Sequence, residues 1–235
     1  MRVILANLFL AVCLFTAYDV QAHALWITTK PAGIKGHPHE VRIYYGEPSV
    51  GTVDPVSEWW SDVNAFELVL QLPDGSSQRL ATTQGTDHFS ASFTPKADGD
   101  YVLRIEHPVR ETFDGHKYQF NSMALVSVGN GNGGAERPGL TEFHVLPGTS
   151  GEGTVGHGLT VYAMLNGKPV AEQEITVFSP NGWSKTFKTD EKGEVSFVPD
   201  REGLYVVEAI HSADVEGKDH KHLHRIATWS LTLEN

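Results

Sequence analysis

The chain has 235 residues, with 29 acidic against 18 basic side chains and a formal net charge of -11. That balance argues against nucleic acid as a partner, because phosphate neutralisation needs clustered lysine and arginine. Twelve histidines beside a single cysteine exclude a disulfide framework and leave imidazole, carboxylate and backbone nitrogen as the donors for any transition metal.

Residues 1–22 read as a secretory signal peptide. Arg2 supplies a positive charge, Val3 to Phe15 form an apolar run too short to span a bilayer, and Val20-Gln21-Ala22 resembles a cleavage site. A lipoprotein-type cut at Leu10-Ala11-Val12-Cys13 is disfavoured, since Val12 is large for its position and Leu14-Phe15 continue the run. Arg2 and Asp19 leave together, so the exported chain keeps its net charge and loses Cys13, the one thiol. Cleavage before His23 frees an α-amine beside the imidazole Nδ1, a bidentate chelate for one metal ion. The plainer reading is that His23 is simply where the peptidase cuts. No second apolar run follows, so the mature chain is expected in the periplasm or secreted, with no insertion in the membrane.

Beyond residue 23 the sequence alternates apolar and polar residues in short runs broken by Gly, Pro, Asn and Asp, the pattern of half-buried strands. Phe66, Leu68, Leu70 and Leu72 share one face before the Pro73-Asp74-Gly75 turn, and Ala227, Trp229, Leu231 and Leu233 share another near the C-terminus. No stretch keeps a helical period. An internal repeat, F-x-P-x3-G-x-Y-V-x4-H, runs from Phe93 to His107 and again from Phe197 to His211, with matched positions 104 residues apart. It reads as a Pro/Gly corner followed by a strand opening with Tyr101 or Tyr205, like the tyrosine corner of immunoglobulin-like sandwiches. Asn166-Gly167-Lys168-Pro169-Val170, Thr189-Asp190 with Gly193, and Gly203-Leu204-Tyr205 are spaced like the turns and corner of prealbumin-like sandwiches. The expected fold is all-β: two tandem immunoglobulin-like or prealbumin-like β-sandwiches, residues 23–128 and 140–235, joined by a glycine-rich linker at 129–139.

The histidines bunch. His37 and His39 have the i, i+2 spacing that puts two rings on one side of a strand, about 7 Å apart. His220, His222 and His224 repeat that spacing on the face opposite Ala227 and Trp229, and a turn over 212–218 brings them back towards His211. Asp214, Glu216 and Asp219 lie in or beside that turn. A solvated histidine-rich tip accounts for the same pattern. His107 matches His211 by repeat, which favours a structural role for both, and His88, His116, His144 and His157 have no local partner. Serines and carboxylates form no hydrolase constellation, so no enzyme activity is expected. Trp59-Trp60 reads either as an aromatic surface that stacks on sugars or as a cap over an open sandwich.

His23 with Trp26-Ile27, Gly167-Lys168-Pro169, Thr189-Asp190 with Gly193, Gly203-Leu204-Tyr205 with Ala209 and His211, and Ala227-Thr228 with Ser230-Leu231-Thr232 together resemble the NikM-like periplasmic proteins of nickel uptake, several of which are exported two-domain β proteins. The likeness covers essentially the whole exported chain and implies a role with a divalent metal, nickel or cobalt first. It names no ligands residue by residue. The leading expectation is a periplasmic binding protein that captures the ion, through His23 with His37 or His39, or through His211 and His220 to His224, and presents it to an inner-membrane importer. Copper is the main competitor, because an amine-plus-imidazole chelate resembles the histidine brace of copper-handling sandwiches and of copper oxidases that cleave polysaccharides, and nitrogen donors favour Cu(II). A metal-independent adhesion or carbohydrate-binding module of the cell envelope is the third reading.

Overall fold

Alternation along the strands builds three β-sheets and no α-helix among the described residues, which in this computed structural model are 23–131, 140–148, 153–215 and 219–233. Residues 1–22, the expected signal peptide with Cys13, residues 132–139 of the expected linker, and Glu216 to Lys218 lie outside them. In chain order the first strands are β1 (Ala24–Thr29), β2 (Ala32–Gly33), β3 (His39–Glu47), β4 (Thr52–Val53), β5 (Leu68–Gln71) and β6 (Ser77–Leu80). Next come β7 (Thr83–Gln84), β8 (Phe89–Phe93), β9 (Gly99–Phe113), β10 (His116–Val128), β11 (Phe143–Pro147) and β12 (Leu159–Leu165). The rest are β13 (Lys168–Pro169), β14 (Glu174–Phe178), β15 (Ser184–Lys188), β16 (Glu194–Phe197), β17 (Gly203–Asp214) and β18 (His222–Leu233). No helix among the described residues is long and apolar enough to cross a membrane.

The central sheet has nine strands, ordered β15-β14-β17-β18-β10-β9-β5-β6, with β2 added to β10. Strands from both halves of the sequence therefore lie in one sheet. The junction is a parallel pair, β10 with β18, in which His116 faces His222 and Phe120 faces Ile226. The other two sheets cover opposite faces of this one. The sheet β1-β3-β8-β7, with β4 on β3, packs over Leu103, Ile105, Phe120 and Ile226, while β11-β12-β13, with β16 on β12, packs over Val102, Met123, Val207 and Trp229. Alternation explains the division, since residues one apart on a strand serve opposite cores.

The repeat folds as the tyrosine corner expects. Tyr101 Oη accepts from the Lys96 and Ala97 amides and donates to Ala97 O, and Tyr205 Oη does the same with the Asp200 and Arg201 amides and Arg201 O. Both rings are buried. Replacing either tyrosine by phenylalanine strands these backbone groups and is expected to cost about 1–3 kcal/mol in chemical denaturation. A cost near zero would show that water replaces the hydroxyl. The Asn166-Gly167 turn has both residues at positive φ, 52° and 72°, the hairpin geometry its sequence favours.

The outer edge of β1 is held by side chains rather than by another strand. Ser122 and Thr228 hydroxyls donate to Leu25 O, and Ser230 donates to Ile27 O. These bonds lay β1 along the β10–β18 seam, running in the direction of β18, so His23 lies near the level of Ile226. Tyr45 confirms the placement, since its ring meets both His23 and Phe120.

Candidate functional site

The seam carries a polar strip on the face that β1 only partly covers. Along β17 the residues on that side are Leu204, Val206, Glu208, Ile210, Ser212 and Asp214, and β18 adds Ile226, His224 and His222 opposite them. From β10 come Phe120, Tyr118 and His116. At the apolar end a cleft of ≈ 510 Å³ opens between Trp26 and Tyr44 on one wall and Phe178, Leu204 and Val206 on the other.

At the polar end three imidazoles meet. His116 stacks on His222 and His224, with centroids 4.7 and 4.8 Å apart, and Tyr118 stacks on His224 at 5.2 Å. His116 Nδ1 lies 2.6 Å from His224 Nε2, while His224 Nδ1 lies 2.6 Å from Ser212 Oγ. Burial, then His116 and His222, hold His224 below its ordinary value, so this ring is neutral near pH 7. His222 Nδ1 contacts the Asp214 carboxylate at 2.8 Å. A carboxylate on one ring nitrogen orients the imidazole and leaves the other nitrogen as a donor, the usual surroundings of a ligating histidine.

One same-face position along from His224, a second group forms around His23. Its Nδ1 lies 2.9 Å from Glu47 Oε1 and its Nε2 lies 3.1 Å from Asp54 Oδ2. Burial raises Glu47 despite His23, with Asp54 adding to the rise. Burial, then the Glu47 charge, push Glu208 up to about 8. Glu208 Oε2 has no hydrogen-bond partner among the described residues.

The structure brings together some of the histidines expected to bind and separates others. The antiparallel register of β1 and β3 sets Ala24 beside Gly46 and Thr29 beside Val41, so His37 and His39 lie at the far end of β1 from His23. His39 instead contacts Thr29 Oγ1 and packs on Phe93, and the His37 ring contacts Lys35 O. His222 and His224 join, but His211 does not. Strand β17 continues to Asp214, which makes His211 a mid-strand residue on the opposite face, against Phe143 and Gln173. His220 turns to its neighbour Asp219. His116, which has no partner nearby in sequence, completes the cluster through the parallel seam. His107 contacts Asp62, so the repeat-matched histidines have different surroundings. Trp59 is a core side chain against Tyr45, Phe66 and Phe89, and Trp60 packs half-buried on Tyr118. The pair caps the sandwich. Among the described residues no group of three or more His, Cys, Asp or Glu side chains is placed so that it could hold a metal ion as it stands.

Layered β-sheets carrying imidazoles on a shared seam define this protein's class. The chain belongs to the family described as Domain of unknown function (DUF4198), whose model matches residues 20–213. A search of curated proteins finds no match. Among solved structures it is similar to trypsin-activated alpha-2-macroglobulin from Escherichia coli, with 10% identity and a TM-score of 0.29, over 91% of this chain and 16% of that one. It is also similar to a Ca2+-stabilised adhesin with which an Antarctic bacterium binds ice, with 12% identity and a TM-score of 0.27, over 91% of this chain and 50% of that one. The chain thus spans half or less of these structures, and scores this low carry no argument about function.

Proposed function

We propose that this is an exported binding protein for a divalent transition metal, nickel or cobalt first, that takes its cargo at His116, His222 and His224. The observation that carries the reading is the convergence of three imidazoles from β10 and β18, one of them oriented by Asp214 and one held neutral. Signal-like residues 1–22 and the resemblance to NikM-like proteins support a periplasmic location and delivery to an inner-membrane importer.

The chemistry sets what loading requires. Tetrahedral bonds of about 2.0–2.1 Å need ligand nitrogens about 3.3 Å apart, whereas the His116 and His224 nitrogens share a contact of 2.6 Å. The ion therefore displaces the shared proton while the rings part by roughly 0.7 Å, within reach of side-chain rotation. Loading releases protons and weakens as pH falls through the imidazole range near 6.5.

Titration of Ni2+, Co2+ and Cu2+ by calorimetry tests this. Replacing His116, His222 and His224 together by alanine is expected to weaken the preferred ion at least about tenfold, or about 1.4 kcal/mol. Replacing His37 and His39 is expected to change nothing. Unchanged affinity in the triple variant would overturn the site.

A further inference from the structure

We propose a hydrolytic activity beyond metal binding, in which Ser212 Oγ is a nucleophile towards uncharged carboxylic esters, His224 is its general base and His116 positions that base. The proposal does not rest on the cargo reading, because the chemistry needs no metal ion.

The three side chains form one line of contacts. Ser212 and His224 face each other across β17 and β18, and Ser212 Oγ lies 2.6 Å from His224 Nδ1. The other ring nitrogen, His224 Nε2, lies 2.6 Å from His116 Nδ1. A hydroxyl within hydrogen-bond reach of an imidazole whose far nitrogen is held by a third group is the arrangement that activates serine nucleophiles, whatever fold carries it. With hydrogen on His224 Nε2, Ser212 donates to Nδ1 and Nε2 donates to His116. Tyr118 stacks on the His224 ring and restrains its rotation. No sequence motif marks the group, since His224 arrives across a hairpin and His116 across the parallel seam.

A nucleophile also needs access and a donor for the developing oxyanion. Ser212 is exposed and His224 half-buried beneath it, so an ester reaches Oγ from solvent. Gln173 Nε2 donates to Ile210 O from the β14 side, and alternation along an antiparallel strand points the Ser212 amide the same way. Pairing with β14 ends at Ala209, so no strand among the described residues covers that amide. It stands beside Oγ on the same residue, where an oxyanion donor is useful. Ile210, on the same face and 37% exposed, gives a short acyl group an apolar rest. Asp214, on the other side of Ser212 along that face, repels anionic substrates.

The reaction balances without a co-reactant other than water. Ser212 Oγ bonds to the ester carbonyl carbon as its proton passes to His224 Nδ1, and the bond to the alcohol oxygen breaks as that proton passes to the leaving group. Water repeats the sequence on the acyl-serine, releasing the acid and restoring the hydroxyl.

A fluorophosphonate tests the nucleophile directly, since Oγ displaces fluoride from phosphorus and gains a mass that peptide mapping locates. With a chelator present, wild type is expected to be labelled at Ser212 and to hydrolyse p-nitrophenyl acetate. Ser212→Ala, a change at an exposed position, is expected to take no label and to lose hydrolysis at least about tenfold while still binding nickel. His224→Gln is expected to slow labelling by about a hundredfold, the usual scale of a lost general base. His116→Ala is expected to lower kcat with KM unchanged, and His116→Gln, which keeps an acceptor for Nε2, to restore part of it. No label on wild-type Ser212, or undiminished labelling in a folded His224→Gln protein, would overturn the proposal. If wild type bound nickel yet took no label, the cargo reading would stand while this one fell, and label without nickel binding would give the reverse.

Discussion

Replacing Glu208 by glutamine is expected to stabilise the metal-free protein by about 4 kcal/mol near pH 8.5 and by roughly 1 kcal/mol or less near pH 5. The cause is the raised carboxyl. Glu208 has an ordinary value of 4.5 and is pushed to about 8 by burial and by Glu47, so the folded chain binds more protons than the unfolded chain between those values. Stability from this group is complete below 4.5 and is lost as pH rises to about 8. Glutamine has nothing to titrate and escapes that loss. Glu47, raised in the same direction, keeps part of the slope in the variant. Urea unfolding at several pH values with a chelator present would measure the difference, which corresponds to roughly 10 °C in melting temperature at alkaline pH. A difference that did not vary with pH would mean that Glu208 is ionised and paired in the folded protein.

Glu208 also shows what the sequence does and does not disclose. It stands in Tyr205-Val206-Val207-Glu208-Ala209-Ile210, a lone charge in a run otherwise apolar on both faces, and that was a legible signal of a special carboxyl. The charge it feels was not legible. Glu47 ends β3, an ordinary place for an acidic residue, and no short-range pattern relates it to Glu208 on β17.

Local patterns carried over well because their physics is local. The alternation at Leu68 and Leu70, the outward histidines opposite Trp229, the Asn-Gly turn and both tyrosine corners depend on residues a few positions apart. The parallel pairing of β10 with β18 joins residues more than 100 positions apart, and no short-range pattern encodes its register. That pairing decides the candidate site. It gives His116 two histidine neighbours, whereas His211, adjacent to the cluster in sequence, is turned to the other face because odd and even residues of a strand point in opposite directions. Antiparallel pairing separates His23 from His39: His23 precedes β1 and lies by the end of β3, whereas His39 opens β3 at the far end of the pair.

Replacing Trp229 by alanine is expected to cost about 3–5 kcal/mol, the usual penalty for emptying a large core position. The whole described chain should feel the change. Trp229 is 1% exposed and sits on β18 between Val207 of β17 and Met123 of β10. Met123 and Leu125 share its core, while Phe120 and Ala124 of the same strand belong to the core on the opposite face. Loosening β18 therefore removes the seam on which the first half rests, together with the hydroxyls of Thr228 and Ser230 that hold β1. If residues 23–128 and 140–235 unfold as one unit, thermal melting of the variant should remain a single transition at lower temperature. Hydrogen exchange would then accelerate in β3 and β8, which never touch Trp229, as much as in β12. Two separated transitions, with β3 and β8 still protected through the first, would show instead that the halves are independent sandwiches and that the shared sheet transmits little between them.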